Sequence, residues 1–171
     1  MLSLMPDHDI CIAAPAHGRK QPLVHHPDSV VQQQVLGSGL SLQVHGNELV
    51  APASGLLKYV SPAGHYWHFL LPHASPASCG SKKFENCVLL FADPAFSTHL
   101  PGITKQPKLG QKIRAGTLLA RLHLPVLQAN LGHTALAIVF PDRSANEIDW
   151  QPGSARCNEQ PFIKISLSAQ Q

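Results

Sequence analysis

Charged and aromatic residues are scarce in this chain of 171 residues. Only 13% of the residues are charged, the formal net charge is +3, and aromatic residues make up 6%. A charge this small and this scattered argues against a nucleic-acid surface. The chain also has no apolar run of about 18 residues, so the sequence predicts no membrane span. With 44% hydrophobic residues, the composition is typical of a globular domain rather than a disordered chain.

Spacings that indicate metal or redox chemistry are missing as well. The cysteines are Cys11, Cys79, Cys87 and Cys157, and none forms a C-x-x-C pair, so neither a zinc ribbon nor a thioredoxin-like motif is expected. Residues 1–9 do not resemble a secretory signal, because they lack a basic start and Pro6 and Asp7 break their apolar run. We therefore expect a cytoplasmic protein with reduced thiols and with neither a metal nor a cofactor.

Proline and glycine are abundant, with 15 and 12 residues, and they favour many short strands separated by turns. An Ala-Pro-x-x-Gly pattern occurs twice, in Ile12–Gly18 and Leu49–Gly55, and each copy predicts a strand that ends in a turn. We expect one all-β domain over residues 10–167, with tails at 1–9 and 168–171. The predicted strands lie near 10–14, 40–44, 48–51, 87–91, 117–122, 135–140 and 161–166, and short helical turns lie near 94–100 and 125–131.

Further motifs follow in a fixed order along this domain. Residues 35–42 read V-L-G-S-G-L-S-L, residues 46–55 read G-N-E-L-V-A-P-A-S-G, residues 110–116 read G-Q-K-I-R-A-G, and residues 124–127 read L-P-V-L. This ordered set resembles the glucose-type enzyme IIA of the bacterial phosphoenolpyruvate-dependent sugar phosphotransferase system. The resemblance implies an antiparallel β-sandwich or barrel with an internal pseudo-repeat, in which only short helical turns occur.

The resemblance also implies a chemistry at two neighbouring histidines. In this family one histidine accepts a phosphoryl group from the histidine phosphocarrier protein, and the other donates a hydrogen bond to that group. Histidine suits this step because it is nucleophilic near neutral pH, and the phosphoryl charge needs nearby donors. Gly64-His65-Tyr66-Trp67 is similar to the motif of the supporting histidine, so the resemblance assigns that role to His65.

The acceptor histidine has no counterpart in this sequence. The run Leu89-Leu90-Phe91-Ala92-Asp93-Pro94 is similar to the acceptor motif and places Ala92 at the acceptor position. Asp93 replaces an apolar aromatic used for docking, and its carboxylate would repel a phosphoryl group. We expect His65 beside Ala92 on adjacent strands, in a shallow depression rimmed by a surface loop at 72–85. The residues predicted to bind a partner are Tyr66, Phe91, Asp93 and Phe96.

These features predict a phosphotransfer-incompetent, enzyme IIA-like protein that acts as a regulatory or protein-binding module. The expected partners are other proteins: the histidine phosphocarrier protein, a sugar permease or a regulated target. Contact with a membrane would be peripheral and through a permease, and no nucleic acid is expected.

Two alternatives stay open at this point. The first is an active phosphocarrier in sugar uptake whose acceptor has moved to His65, His68 or His99. The second is a zinc hydrolase with a related barrel, of the lysostaphin type, but such a site needs an H-x-H pair that the sequence does not contain.

Overall fold

The described part of the chain folds into short antiparallel strands with two short α-helices. The computed structural model describes residues 9–74, 82–93, 95, 99–107 and 109–166. Within these residues the strands are β1 (Ile10–Ile12), β2 (Gly18–Gln21), β3 (Ser38–Val44), β4 (Glu48–Val50), β5 (Gly55–Val60), β6 (Tyr66–Ala74), β7 (Lys82–Leu90), β8 (Ile103–Lys105), β9 (Lys112–Ile113), β10 (Leu118–Leu122), β11 (Ala135–Phe140), β12 (Ile148–Asp149), β13 (Gly153–Ala155) and β14 (Ile163–Ile165). The helices are α1 (Ser29–Gln32) and α2 (Leu124–Leu131).

The strands form one large and two small sheets. The large sheet has eight strands in the order β13-β2-β3-β11-β7-β6-β5-β9, and the small sheets have the orders β1-β14-β12 and β4-β10-β8. The strand pairings that the structure describes are antiparallel. Each strand predicted from the sequence overlaps an observed one, so the all-β, antiparallel prediction is confirmed.

The two Ala-Pro-x-x-Gly segments are related by a local pseudo-two-fold arrangement. The N–H of Ala13 donates to the carbonyl of Pro52 at 2.9 Å, and the N–H of Val50 donates to the carbonyl of Pro15 at 2.8 Å. Ala13 and Val50 occupy equivalent positions in the two copies, as do the two prolines. The two bonds are therefore equivalent under the pseudo-two-fold relation. In each copy a strand ends before the Ala-Pro turn, and the next strand begins at its glycine. The repeat therefore builds the junction between the sheets.

The large sheet buries both of its faces at its centre. Its inner face packs in the main core, which contains Trp67, Phe69, Leu89, Phe91, Leu136, Ile138 and Phe140. On the outer face, Val88 and Leu90 of β7 and Ala137 and Val139 of β11 form a second apolar cluster. Residues 22–36, which we call the cover segment, lie on this outer cluster through Leu23 and Val31. This double burial explains why β11 and the C-terminal half of β7, residues 87–90, are continuous apolar runs.

The helical predictions have a mixed outcome. The turn predicted near 125–131 is α2, which carries proline in its first turn and ends at Gly132 in the left-handed conformation. The turn predicted near 94–100 falls largely on residues outside those described. The short helix α1 was not predicted; Asp28 caps it, since its Oδ1 accepts a hydrogen bond from the Val30 N–H at 2.9 Å. None of the helices in the described part of the chain is long and apolar enough to cross a membrane.

The prediction of a surface loop at 72–85 is wrong at both ends. Strand β6 continues to Ala74 and β7 begins at Lys82, so Pro72 pairs with Phe84 inside a long hairpin. A proline is tolerated there because β5 pairs with β6 only up to Leu70, which leaves the other side of β6 without a partner among the described strands.

Candidate functional site

A tight turn ahead of β6 places His65. The Gly64 N–H donates to the Ser61 carbonyl at 3.0 Å, which closes the turn Ser61–Gly64. Gly64 has φ +78°, a conformation that favours glycine over residues with a side chain. Its carbonyl accepts a 2.8 Å hydrogen bond from the Trp67 indole N–H, which ties the turn to the core. The turn thus holds the Ser61 side chain directly beside His65.

The imidazole of His65 is fully buried and hydrogen bonded through both ring nitrogens. Ser61 Oγ accepts hydrogen bonds from the His65 and Tyr66 N–H groups, both at 3.1 Å, and lies 3.2 Å from His65 Nδ1. Because two N–H donors occupy the lone pairs of Oγ, its hydroxyl is left to donate to Nδ1. Nε2, 3.1 Å from the Asp93 carbonyl, then carries the proton and donates it to that oxygen. These two contacts favour the Nε2–H tautomer of the His65 ring.

The residue opposite His65 is Phe91 rather than Ala92. Strands β6 and β7 pair Tyr66 with Leu90, and one step further the Phe91 N–H donates to the His65 carbonyl at 2.8 Å. Ala92 lies next along the chain and is buried. Phe91 is therefore directly opposite His65 and Ala92 is one residue further along the chain, and the assignment of Ala92 to the acceptor position stays a prediction. Neither an alanine nor a phenylalanine side chain carries a nucleophile.

The predicted binding residues that the structure describes differ in burial. Phe91, the residue after β7, is fully buried in the main core together with Cys87 and Leu89, so it presents no surface to a partner in this structure, and its binding role stays a prediction. Tyr66 is half-buried on the outer face, and burial, followed by Tyr59 and Asp93, raises the pKa of its phenol. Asp93 is also half-buried, and its Oδ1 accepts a 2.8 Å hydrogen bond from the Ala95 N–H. Phe96 lies outside the described residues.

The expected depression around His65 is contradicted by burial and topology. His65 has no exposed surface, so it does not line a depression. The hairpin predicted to form the rim extends in the opposite direction: at about 3.4 Å per residue, the Pro72–Phe84 pair lies roughly 20 Å from the Tyr66–Leu90 pair. The prediction assumed that the long connection joins the ends nearest His65, whereas it joins the far ends.

Sequence reasoning missed two polar residues of the cover segment, His26 and Asp28. Asp28 Oδ2 accepts a hydrogen bond from the Asp93 N–H at 3.2 Å, directly beside Ala92. His26 is fully buried; its Nε2–H donates to the Ala135 carbonyl at 3.1 Å, and its Nδ1 accepts from the Asp28 N–H. Burial lowers the pKa of His26 to about 4, and the neighbouring His133 contributes in the same direction. The only sequence signal was the capping residue Asp28 before a short apolar run.

The two other candidate acceptor histidines are more exposed than His65. His68 is half-buried on the outer face, and its Nε2 lies 2.7 Å from Asn86 Oδ1. The Asn86 amide donates in turn to Asp142 Oδ2 at 2.7 Å, which fixes Oδ1 as the acceptor facing His68. Nε2 of His68 is therefore the donor, and Nδ1 is the nitrogen left to carry a lone pair in the neutral ring. His99 is exposed.

The sequence and the fold of this chain are each similar to those of enzyme IIA proteins. Residues 10–74 match the sequence model of the family "phosphoenolpyruvate-dependent sugar phosphotransferase system, EIIA 1". The fold is similar to that of glucose permease IIA from Mycoplasma capricolum, with a TM-score of 0.72 and 17% identity over 97% of this chain and 100% of that one. These two findings confirm that the chain resembles glucose-type enzyme IIA, in sequence over residues 10–74 and in fold over nearly its whole length.

Proposed function

We propose that this chain is an enzyme IIA-like protein of the sugar phosphotransferase system that accepts no phosphoryl group and acts by binding another protein. Its partner belongs to one of three kinds: the histidine phosphocarrier protein, a sugar permease, or a target that the protein regulates. The chain works in the cytoplasm and reaches a membrane only through a permease.

The state of His65 carries this proposal. A supporting histidine must present an N–H to a phosphoryl group, but the Nε2–H of His65 is already donated to the Asp93 carbonyl, and the ring is fully buried. The opposite position holds Phe91, and the next holds Ala92, and neither side chain is a nucleophile. Loss of the nucleophile abolishes a covalent step rather than weakening it. A buried His65 that donates to a backbone carbonyl and faces Phe91 supports a structural role for this histidine.

A second candidate function rests on His68. Its Nε2–H is oriented by Asn86 and Asp142, which leaves Nδ1 available as a nucleophile on the outer face. Tyr59 lies opposite His68, and the rings of Tyr59 and Tyr66 are 6.0 Å apart, so two phenols on this face could donate to a phosphoryl group. The nearby Asp142 carboxylate opposes this reading because it repels a phosphoryl dianion.

Phosphoryl transfer to the intact protein separates the two candidates. The protein is incubated with phosphoenolpyruvate, enzyme I and the histidine phosphocarrier protein, and its mass is measured without acid, because phosphohistidine is acid-labile. A glucose-type enzyme IIA that retains its acceptor serves as the positive control. We expect no phosphate adduct on this chain under conditions that label the control completely.

A phosphate adduct on the natural protein would overturn the binding-only proposal. The matched variants His65→Gln, His68→Gln and His99→Gln then distinguish the three candidate acceptors, since glutamine keeps a side-chain N–H near the position of Nε2 but is not a nucleophile. Loss of the adduct in His68→Gln alone would establish the second candidate. Titration of the unlabelled protein with the histidine phosphocarrier protein, followed by NMR shift changes, tests whether that protein is the bound partner.

A further inference from the structure

The cover segment is attached to the domain in an unusual way. The backbone hydrogen bonds described for residues 23–36 stay within the segment and the turn that follows it, such as those from His26 to Leu23 and from Val35 to Val30. Strand pairing ends at Gln21 and resumes at Ser38. Between Gln21 and Ser38, the hydrogen bonds and apolar contacts described between the segment and the sheet are made by side chains of the segment. A segment held in this way can open without breaking a sheet ladder.

Two polar side chains hold the cover segment to the sheet. His26 reaches the Ala135 carbonyl at the start of β11, and Asp28 reaches the Asp93 N–H beyond the end of β7. The two are linked, because the Asp28 N–H donates to His26 Nδ1 at 3.1 Å. One further bond, from Ser38 Oγ to Gln34 Oε1, is long at 3.4 Å. His26 and Asp28 thus form a latch with one contact on each of the two strands that the segment covers.

An apolar face lies under this latch. Leu23 and Val31 of the cover segment pack on Val88, Leu90, Ala137 and Val139, with Leu36 and Tyr66 at the margin. The same face adjoins the turn that carries Ala92, Asp93 and the hydrogen bond to His65. On the outside of the segment, Val24 and Val35 are 60% and 69% exposed, so the segment itself presents apolar side chains to solvent.

We propose that the cover segment is a lid, latched by His26 and Asp28, over an apolar face beside His65. Opening exposes Val88, Leu90, Ala137 and Val139 as one patch and frees the Asp93 N–H, while the sheets stay intact. The lid consists only of residues of this chain, so its opening does not depend on whether the chain accepts a phosphoryl group. Within the proposed function, it controls whether a partner can reach the turn at Asp93.

Hydrogen exchange of the isolated full-length protein, read by peptide mass spectrometry, tests this proposal. In the natural protein, the bonded amides of the cover segment should exchange well before those of β11. Asp28→Asn is close to isosteric but supplies one acceptor oxygen in place of two, so it cannot satisfy both the Val30 and Asp93 N–H groups. We expect exchange in residues 22–36 to rise roughly tenfold in this variant, while exchange in β3 and β11 is unchanged.

Two controls separate lid opening from general destabilisation. Asp149→Asn makes the same chemical change at an exposed position on β12 and should leave the cover segment unchanged. Ile163→Val removes one methylene from the main core and should speed exchange at core strands without singling out residues 22–36. If Asp28→Asn unfolds the chain, His26→Asn is measured instead, because it keeps an acceptor near Nδ1 and loses the contact with Ala135. The lid proposal would be overturned if the cover segment exchanged equally fast in the natural protein and in the latch variants. It would also be overturned if the cover segment and the core strands exchanged together.

Discussion

Ser61 holds the turn at His65 together, and its removal should be costly. The side chain is fully buried and serves three groups: it accepts from the N–H groups of His65 and Tyr66 and bonds Nδ1 of His65. Ser61→Ala leaves both N–H groups without this acceptor in a buried site. Each unsatisfied group costs about 1–3 kcal/mol, and partial relaxation of the turn recovers some of this. We expect a loss of about 3 kcal/mol in the free energy of unfolding.

The chain offers a matched control in Ser41. This residue is also buried, but its hydroxyl has no hydrogen-bond partner among the described residues. Ser41→Ala therefore removes an unpaired polar atom and should be neutral or slightly stabilising. Both variants are measured by urea unfolding, with the slope checked for constancy, and by thermal unfolding, where about 3 kcal/mol corresponds to roughly 6–12 °C in a chain of this size. Equal effects of the two substitutions would refute the role given to Ser61.

Two further predictions concern buried charge. The pKa of His26 is lowered to about 4 from its ordinary value of 6.5 by burial and by His133, so the unfolded chain binds a proton between these pH values that the folded chain does not. Stability should therefore fall by about 3 kcal/mol as the pH drops from 6.5 to 4, and urea midpoints of His26→Gln should decline less over this range. Arg143→Ala leaves the buried carboxylate of Glu85 without its ion pair and should lower the free energy of unfolding, measured in urea, by about 3–5 kcal/mol. Arg121→Ala breaks an exposed ion pair and should lower it by less than about 1 kcal/mol.

The fold could be predicted from the sequence because its signals are local. Alternation in residues 40–44 and the apolar run at 135–140 predicted β3 and β11. The two Ala-Pro-x-x-Gly copies predicted two strands that end in turns, but not the paired bonds of Ala13 and Val50 between them. Tyr66–Ala74 was recognised only in part, because Pro72 and the polar residues after it have the composition of a loop, and an unpaired strand side is not visible in a sequence.

The site could be predicted only in outline. The motif around His65 predicted that this residue lies close to residues 91–93. The register of β6 and β7 places Phe91 rather than Ala92 opposite it. A shift of one residue in register decides which face of the sheet a side chain occupies. The burial of His65 depends on the turn at Ser61, and the contact between Asp28 and Asp93 joins residues far apart in the sequence. No local pattern carries such long-range contacts.

The central claim is that His65 is a buried, neutral side chain whose two ring nitrogens are already used. Long-range ¹H–¹⁵N NMR of the imidazole rings, assigned with His65→Gln, measures this directly. We expect a protonated Nε2 that exchanges slowly with solvent and an unprotonated Nδ1 that accepts a hydrogen bond, as the bonds to Asp93 and Ser61 require. An imidazole that exchanges rapidly with solvent, or one protonated at Nδ1, would contradict the account and return His65 to the candidate phosphoryl-transfer residues.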